Sequence, residues 1–373
     1  MKDEKKLRPI AFVLPQFHPI PENDMWWGKG FTEWTNVTKA KPLFEGHYQP
    51  QLPTDLGFYD LRLEASRLAQ EALAKAYGIH GFCYYHYWFN GKRLLHEPID
   101  GKLSNSKEDF PFMLCWANEN WTRRWDGLDN EVLIQQDYSE EDDVAHMQWL
   151  CETVFADERY IKVEGKPVFV VYKPFLFSDI TKTVKKWREV AAGYGIELYL
   201  CHMVFSYNQD CQEVYQGFDA AIDFEPFGIR RQNIFTYIKE QRETLNFFDK
   251  IKKRVFGINK DENSRYNIVD YDWMRKVIKP LSNYNFKLYP SIVPGWDNTA
   301  RRKDTPTLIL KDSTPDKFGD WLETINKGFV PYSEDENFIF VNAMNEWAEG
   351  NHLEPCEKWG TAYLEKIKLY FDQ

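Results

Sequence analysis

Short apolar runs recur along this chain and alternate with longer segments whose leucines and alanines follow a helical period. Eight of the runs read as strands: Pro9–Phe17, Gly81–Trp88, Phe112–Asn118, Pro167–Lys173, Leu198–Val204, Ala220–Glu225, Lys287–Val293 and Asn337–Asn342. Leu61–Tyr77 carries the helical spacing most clearly and stops before Gly78, a residue suited to a C-cap. Ser139–Phe155, Asp179–Ala192, Pro315–Lys327 and Cys356–Phe371 read as further helices. Strands alternating with helices are the signature of a parallel sheet. Eight of them in one chain of 373 residues predict an α/β fold, a (β/α)8 TIM barrel, with a doubly wound open sheet as the alternative.

Two segments exceed what a minimal barrel needs. The first βα loop, from His18 to Tyr59, is long and rich in Trp, Gly and Pro ("PENDMWWGKGFTEWTNV"). Phe227 to Phe286 holds an insertion after strand 6 that reads as mostly helical ("NIFTYIKEQRETLNFFDKIKKRVFGI"). Loops of this length in a compact fold are usually functional, and a substrate-binding lid is one reason for them. With no repeat, low-complexity tract or linker in view, residues 1–373 read as a single catalytic domain.

Charge and composition narrow the partners. A formal net charge of −10 argues against a nucleic acid or an anionic membrane surface. No stretch approaches the ~20 apolar residues of a membrane span. The apolar run Ile10–Leu14 is too short for a signal sequence. The six cysteines are scattered, with no C-x-x-C pair, so the expectation is a cytoplasmic protein with reduced thiols, no zinc and no disulfide framework. Aromatics are the informative excess, at 14 Trp, 21 Tyr and 27 Phe, because many of the tryptophans sit beside Asn, Glu, Asp and Arg. Flat rings next to hydrogen-bonding groups suit sugars, which offer apolar C–H faces and a rim of hydroxyls, so an oligosaccharide or polysaccharide is the expected substrate.

The polar chemistry gathers at strand ends. The first strand finishes in Gln16 and His18, and the second in Tyr84, Tyr85, His86, Tyr87 and Trp88. The third finishes in Trp116, Asn118, Glu119, Asn120 and Trp121. Later strands contribute Asp223 and Glu225, then Trp296, Asp297 and Asn298, then Asn342, Asn345, Glu346, Trp347 and Glu349. In a barrel these C-terminal ends open onto one face, the face that carries active sites. Candidate substrate-binding residues are therefore Gln16, His18, Trp34, Tyr85, His86, Tyr87, Trp116, Asn118, Glu119, Trp121, Glu225, Trp296, Asn345 and Trp347, with Trp88 as a further stacking platform. Strand alternation turns about half of the tryptophans into the core instead. His18, His86 and His96 also suit hydrogen-bonded wall positions.

The stretch "FIFVNAMNEWAEGNHLEP", Phe338 to Pro355, frames the sharpest question. Glu346 and Glu349 are three apart, so they converge only if the strand stops near Asn345 and the chain turns helically; Gly350 makes an abrupt exit easy. Carboxyl groups ~5–5.5 Å apart suit retaining glycosidic chemistry, and one of two close acids tends to keep a proton near neutral pH. The competing reading makes Glu349 a helix cap and pairs Glu346 with an arginine such as Arg123 or Arg124. A third arrangement pairs Glu119 with Glu346 in the ordinary covalent mechanism, while Asp223 and Glu225 hold substrate hydroxyls or pair with Arg301 or Arg302.

Four stretches, "GFTEWTNVTKAKPLFEGHYQPQLPTDLGFYD", "GFCYYHYWFNGKRLLHEPID", "FMLCWANENWTRRWDG" and "NAMNEWAEGNHLEP", resemble the WbsX-type proteins, a group similar to glycoside hydrolase family 99. The resemblance runs from about Pro9 to Trp359. It implies a (β/α)8 barrel, and endo-acting α-mannosidases and mannanases without a metal cofactor as hydrolase relatives. In those relatives one carboxylate deprotonates the sugar's own 2-hydroxyl, which attacks the anomeric carbon to form a 1,2-anhydro sugar. A second carboxylate protonates the leaving oxygen and then activates water. Carried over by position, Glu346 becomes the 2-hydroxyl base and Glu349 the general acid/base. Ala348 stands where those mannosidases have histidine. The WbsX label also implies glycosyltransfer in bacterial surface-polysaccharide synthesis, and a non-catalytic glycan-binding role is the third reading. Asp270-Tyr271-Asp272 is the one clear Asp-x-Asp, and Asp272 reads as a helix N-cap there, so no metal and no cofactor are expected.

Overall fold

The computed structural model describes residues 7–123, 128–205, 216–229, 234–244, 266–277, 284–302 and 307–371. Its main sheet is built from β1 (Arg8–Val13), β2 (Gly81–Phe89), β3 (Phe112–Trp116), β4 (Lys166–Val171), β5 (Tyr199–Val204), β6 (Ala220–Asp223), β7 (Leu288–Tyr289 with Ser291–Ile292) and β8 (Phe338–Val341). Each is parallel to the next, and β1 pairs with β8. β7 closes the ring. Pro290 splits it, so that Leu288–Tyr289 pairs with β6 while Ser291–Ile292 pairs with β8. Pro290 has no N–H to give, but its carbonyl accepts from the Phe340 N–H at 2.9 Å. A ring without edges excludes the open sheet: the fold is the (β/α)8 barrel.

The strands are buried almost without interruption along their length, as strands covered on both faces must be. The outer layer includes α3 (Glu64–Ala76), α4 (Glu97–Ser104), α5 (Glu140–Trp149), α6 (Ile180–Gly193), α8 (Pro315–Gly328) and α9 (Ala362–Phe371). Three of these start on a side-chain cap. Ser139, Asp179 and Thr314 accept from the backbone N–H three residues on, each worth about 1 kcal/mol. α6 and α8 then bury Trp187 and Trp321 completely.

Several boundaries differ from the sequence expectation for identifiable reasons. The first strand stops at Val13, before Pro15, and the third at Trp116. Beyond Trp116 a side chain takes over from the ladder: Asn118 Oδ1 accepts from Lys173 N at 2.7 Å, and its Nδ2 donates to the Lys173 carbonyl at 2.8 Å. The last helix starts at Ala362 rather than Cys356, because Cys356 bridges to Pro53 and Gly360. The cap of α7 (Tyr271–Lys276) is Asp270, which accepts from Trp273 N at 2.9 Å; Asp272 lies inside the helix against Arg275 and Lys317. In the insertion residues 234–244 are helical, but Asn267–Asp270 is a strand parallel to Leu308–Lys311, and the rest of the quoted segment, with Cys211, lies outside the described residues.

The first βα loop is folded. It forms two short helices, α1 (Pro21–Trp27) and α2 (Glu33–Lys39), and packs Trp34 between Phe17 and Tyr59, with the indole N–H donating to the Tyr59 carbonyl at 2.9 Å. This tie brings α2 over the end of β8. Among the described residues the cysteines are free and buried, no helix is long and apolar enough to cross a membrane, and no group of three or more His, Cys, Asp or Glu is arranged to hold a metal ion.

Candidate active site

Past β8 the chain makes a small hairpin, β9 (Asn345–Glu346) against β10 (Asn351–His352), with one 3-10 turn, Trp347–Glu349, between them. Asn345 pins its entry, accepting from Leu14 N at 2.7 Å and donating to the Leu14 carbonyl at 3.0 Å. Trp347 anchors its back: the indole donates to Glu354 at 2.7 Å, and the ring stacks on His352 at 3.7 Å between centroids. On one helical turn residues three apart share a face, so Glu346 and Glu349 point the same way. Gly350 ends the turn at φ +57°, where an added Cβ would stand 2.7 Å from Gln51 Nε2 and 3.0 Å from Asp297 Cβ. Gly350→Ala therefore costs at least about 1–2 kcal/mol. It also shifts Glu349, and urea unfolding alongside glycan binding should show both losses.

Between the two glutamates lies Arg301, from the turn that follows β7. Its Nη2 donates to Glu346 Oε2 at 2.8 Å and its Nη1 to Glu349 Oε1 at 2.6 Å. The same Nη2 donates to Glu33 Oε1 at 2.7 Å, a carboxylate carried by α2 and fully buried. Asn298 Nδ2 adds a donor to Glu349 Oε1 at 3.2 Å, and the neighbouring Asp297 N–H donates to the Glu349 carbonyl at 2.6 Å. Asp297 is itself held by His47 and Gln49 of the first loop, each at 2.7 Å. Burial and the nearby Glu349 charge, only partly offset by Arg301, push the Glu346 carboxyl up to about 8. Burial also raises Glu349, against the opposing pull of Arg301. Such a pair titrates as a unit and keeps a proton near neutral pH.

That proton has a consequence for stability. An ordinary glutamate titrates near 4.5, so between about pH 4.5 and 8 Glu346 is protonated in the folded protein and ionised in the unfolded one. The contribution is complete below the lower value and is lost as pH rises towards the upper, at about 1.4 kcal/mol per unit of the raise. Glu346→Gln, which mimics the protonated acid, should flatten this decline. Urea midpoints of both proteins from pH 5 to 9 check it through their difference.

The pair lies in the wall of a cavity of about 770 Å³ at the C-terminal ends of the strands, within the usual range for small-molecule sites. Of the residues singled out from the sequence, Gln16, Tyr85, Tyr87, Glu119, Asn120, Trp121, Trp296, Asn298, Arg301, Arg302, Glu346 and Glu349 line it. Glu119 is ion-paired with Lys173, another lining residue.

The remainder stand behind the wall. His18 contacts Glu97 at 2.9 Å, His86 contacts His146 at 3.0 Å, and His96 contacts Asp100 at 2.9 Å. Burial lowers the titration of His18 and His86, keeping both rings neutral. Trp34 and Trp116 are core, Trp88 donates to Asp142, and Asn118, Asn345 and Trp347 hold backbone and turns as described above. Asp223 and Glu225 are buried and outside the lining: Asp223 Oδ1 accepts from Ile229 N at 2.8 Å, and the Glu225 N–H donates to Ser291 at 2.9 Å. The arginine that bridges the pair is Arg301; the Arg123 side chain and Arg124, offered as partners of Glu346, lie outside what is described. Sequence reasoning did not select Glu33, Trp26, Trp27 or Lys173, and it named Arg302 only as a partner for Asp223 or Glu225. Trp26, Trp27 and Lys173 line the cavity, and the doublet "WW" was the one signal that could have found a pair of them.

Comparison with known proteins agrees with this architecture. The solved structure of a glycoside hydrolase-like protein matches at a TM-score of 0.58 and 13% identity, covering 100% of this chain and 95% of that one. The glycoside hydrolase family 99 endo-α-mannosidase from Bacteroides thetaiotaomicron matches at 0.55 and 14%, covering 98% and 96%. At these identities the likeness is one of fold. The uncharacterized protein WxcX of two Xanthomonas campestris pv. campestris strains is 38% identical over 361 residues, 96% of this chain but 49% of its own length. The chain thus spans about half the length of the curated relatives it matches. The family described as Glycosyltransferase WbsX matches residues 9–367, so the chain belongs to the WbsX glycosyltransferase family.

Proposed function

We propose that this chain breaks a glycosidic bond at Glu346 and Glu349 and passes the glycosyl group to water or to a second hydroxyl. One observation carries the reading: two glutamates from a single turn, Glu346 buried and Glu349 partly so, line a cavity of glycan size, held side by side on one guanidinium. Tyr85, Tyr87, Trp121 and Trp296 supply ring faces, and Gln16 and Asn298 supply amides, the combination a sugar needs.

The chemistry follows the substrate-assisted scheme. One carboxylate accepts the proton of the sugar's 2-hydroxyl, whose oxygen attacks the anomeric carbon as the bond to the leaving oxygen breaks. The other carboxyl gives its proton to that oxygen. The intermediate is a 1,2-anhydro sugar with no bond to the protein. In the return step the second carboxylate takes a proton from the incoming hydroxyl, which opens the epoxide. The first acid then returns its proton to the 2-oxygen, so configuration is retained. Position assigns Glu346 as base and Glu349 as acid/base. The proton held on the free pair must move towards Glu349 when a 2-hydroxyl displaces the local solvent at Glu346.

Water as acceptor makes the reaction hydrolysis, and a sugar hydroxyl makes it transfer. The family description favours transfer. The test is incubation with a panel of oligosaccharides and sugar nucleotides, with and without acceptor sugars, read by mass spectrometry. New glycans of retained configuration, and no glycosyl-protein adduct, are expected. An adduct on Glu119 or Glu346, or defined binding without any bond change over long incubation, overturns the reading.

A further inference from the structure

The structure contains a third carboxylate at this centre that the chemistry above does not use. Glu33 is the first residue of α2, and its backbone N–H donates to the Gln16 carbonyl at 2.9 Å, fixing it over the end of β1. Its Oε1 accepts twice, from Arg301 Nη2 at 2.7 Å and from the Ala348 N–H at 2.9 Å. Ala348 lies in the turn between the two lining glutamates. The other Glu33 oxygen, Oε2, is buried without a hydrogen bond. Capping one N–H needs only a neutral acceptor such as an asparagine or glutamine oxygen. A carboxylate in that place, beside two others and away from water, costs several kcal/mol unless its charge is used.

We propose that Glu33 is the positioning residue of the pair: it locks the Arg301 guanidinium and the Glu346–Glu349 turn to each other and loads the centre with a third negative charge. The guanidinium is held at three points: Glu33 sets its plane, leaving Nη2 aimed at Glu346 and Nη1 at Glu349. The charge acts on both acids in the direction of keeping a proton. The groups facing the pair are Tyr85 and Tyr87 from β2, Arg301 and Arg302 after β7, and Glu33 from α2. Among them Glu33 is the nearest like charge that belongs to another element. In consequence the first βα loop, 268 residues away in sequence from its partner Arg301, adds to burial and to the mutual repulsion of the pair in holding its proton.

This assignment rests on Glu346 and Glu349 being the reacting pair, but its test needs no substrate. In protein labelled with 13C at glutamate carboxyls, the titrations of Glu346 and Glu349 are followed by NMR, with assignment from Glu346→Gln and Glu349→Gln. Glu33→Gln keeps the acceptor for Ala348 and Arg301 and removes only the charge. Both titrations should then move to lower pH, the larger by about one unit. A fall in melting temperature with both titrations unmoved makes Glu33 a cap only and overturns the proposal. Should the glutamine variant not fold, Glu33→Asp keeps the charge and withdraws the oxygen by one methylene. The Arg301 η-proton bonded to Glu33 should then move upfield, and an unchanged Arg301 spectrum overturns the proposal equally. Failure here leaves the catalytic reading intact, and that reading fails separately if the glutamine variants of the pair turn over glycans normally.

Discussion

Glu346→Gln and Glu349→Gln are each expected to lower glycan turnover by about 10²–10⁴-fold while glycan affinity stays within a few fold of the parent. Glutamine keeps the volume of the side chain and an oxygen to accept from Arg301, so the fold and the cavity wall survive. What is lost is the ability to carry a proton. The two variants should differ in a diagnostic way. Without an acid at position 349, a substrate with an already acidic leaving group still loses it, so activated glycosides should recover much of the first step. Without a base at position 346 no such rescue is available, because the 2-hydroxyl remains protonated whatever the leaving group is. Steady-state rates on a natural glycan and on an activated aryl glycoside separate the roles. Turnover like the parent's in either variant removes that residue from the mechanism, and rescue of the 346 variant instead exchanges the two assignments.

The barrel was legible because its strands are short, apolar on consecutive positions and separated by helices with clear caps. Buried parallel strands leave that trace in any sequence. Strand ends were read two to four residues too long at β1, β3 and β6 because residues such as Leu14 and Asn118 stay buried after the ladder stops. Burial and strand geometry part company at a barrel mouth, and an apolar pattern reports only burial. Glu346 and Glu349 stood out as a candidate pair, since three residues and a following glycine allow few geometries, but spacing left a cap at Glu349 and an arginine partner for Glu346 equally open. Their partners did not stand out: Arg301 was named only for Asp223 or Glu225, and Glu33 not at all. Arg301 lies 45 residues before Glu346, and Glu33 lies 268 residues before Arg301. Nothing local marks either as different from an ordinary surface charge. The tryptophans divided for the same reason: Trp121 and Trp296 line the cavity, while Trp34, Trp116 and Trp347 fill space behind it. All sit beside polar residues in sequence, and only the turn of the chain decides which side faces the opening.

Arg301→Met is expected to destabilise the protein by about 3–5 kcal/mol at pH 9 and by distinctly less at pH 5. The cation is the common partner of three carboxylates, Glu33 and Glu346, which are buried, and Glu349, which is partly so. Methionine fills most of the same volume but leaves those acids facing one another without a positive charge. At pH 5 they can take up protons and lie together as neutral acids, so the cost is that of lost hydrogen bonds. At pH 9 the unfolded chain releases its protons freely while the folded one must either keep them or bury bare charge, and either choice favours unfolding. Arg301→Lys should sit between the two, restoring charge without the planar fork that reaches Glu346 through Nη2 and Glu349 through Nη1. Urea unfolding of the three proteins at both pH values measures the interaction of pH with the substitution. If the methionine variant is as stable relative to its parent at pH 9 as at pH 5, the three carboxylates do not share one cation. The charge coupling that is proposed to hold a proton at the mouth of the barrel would then be absent.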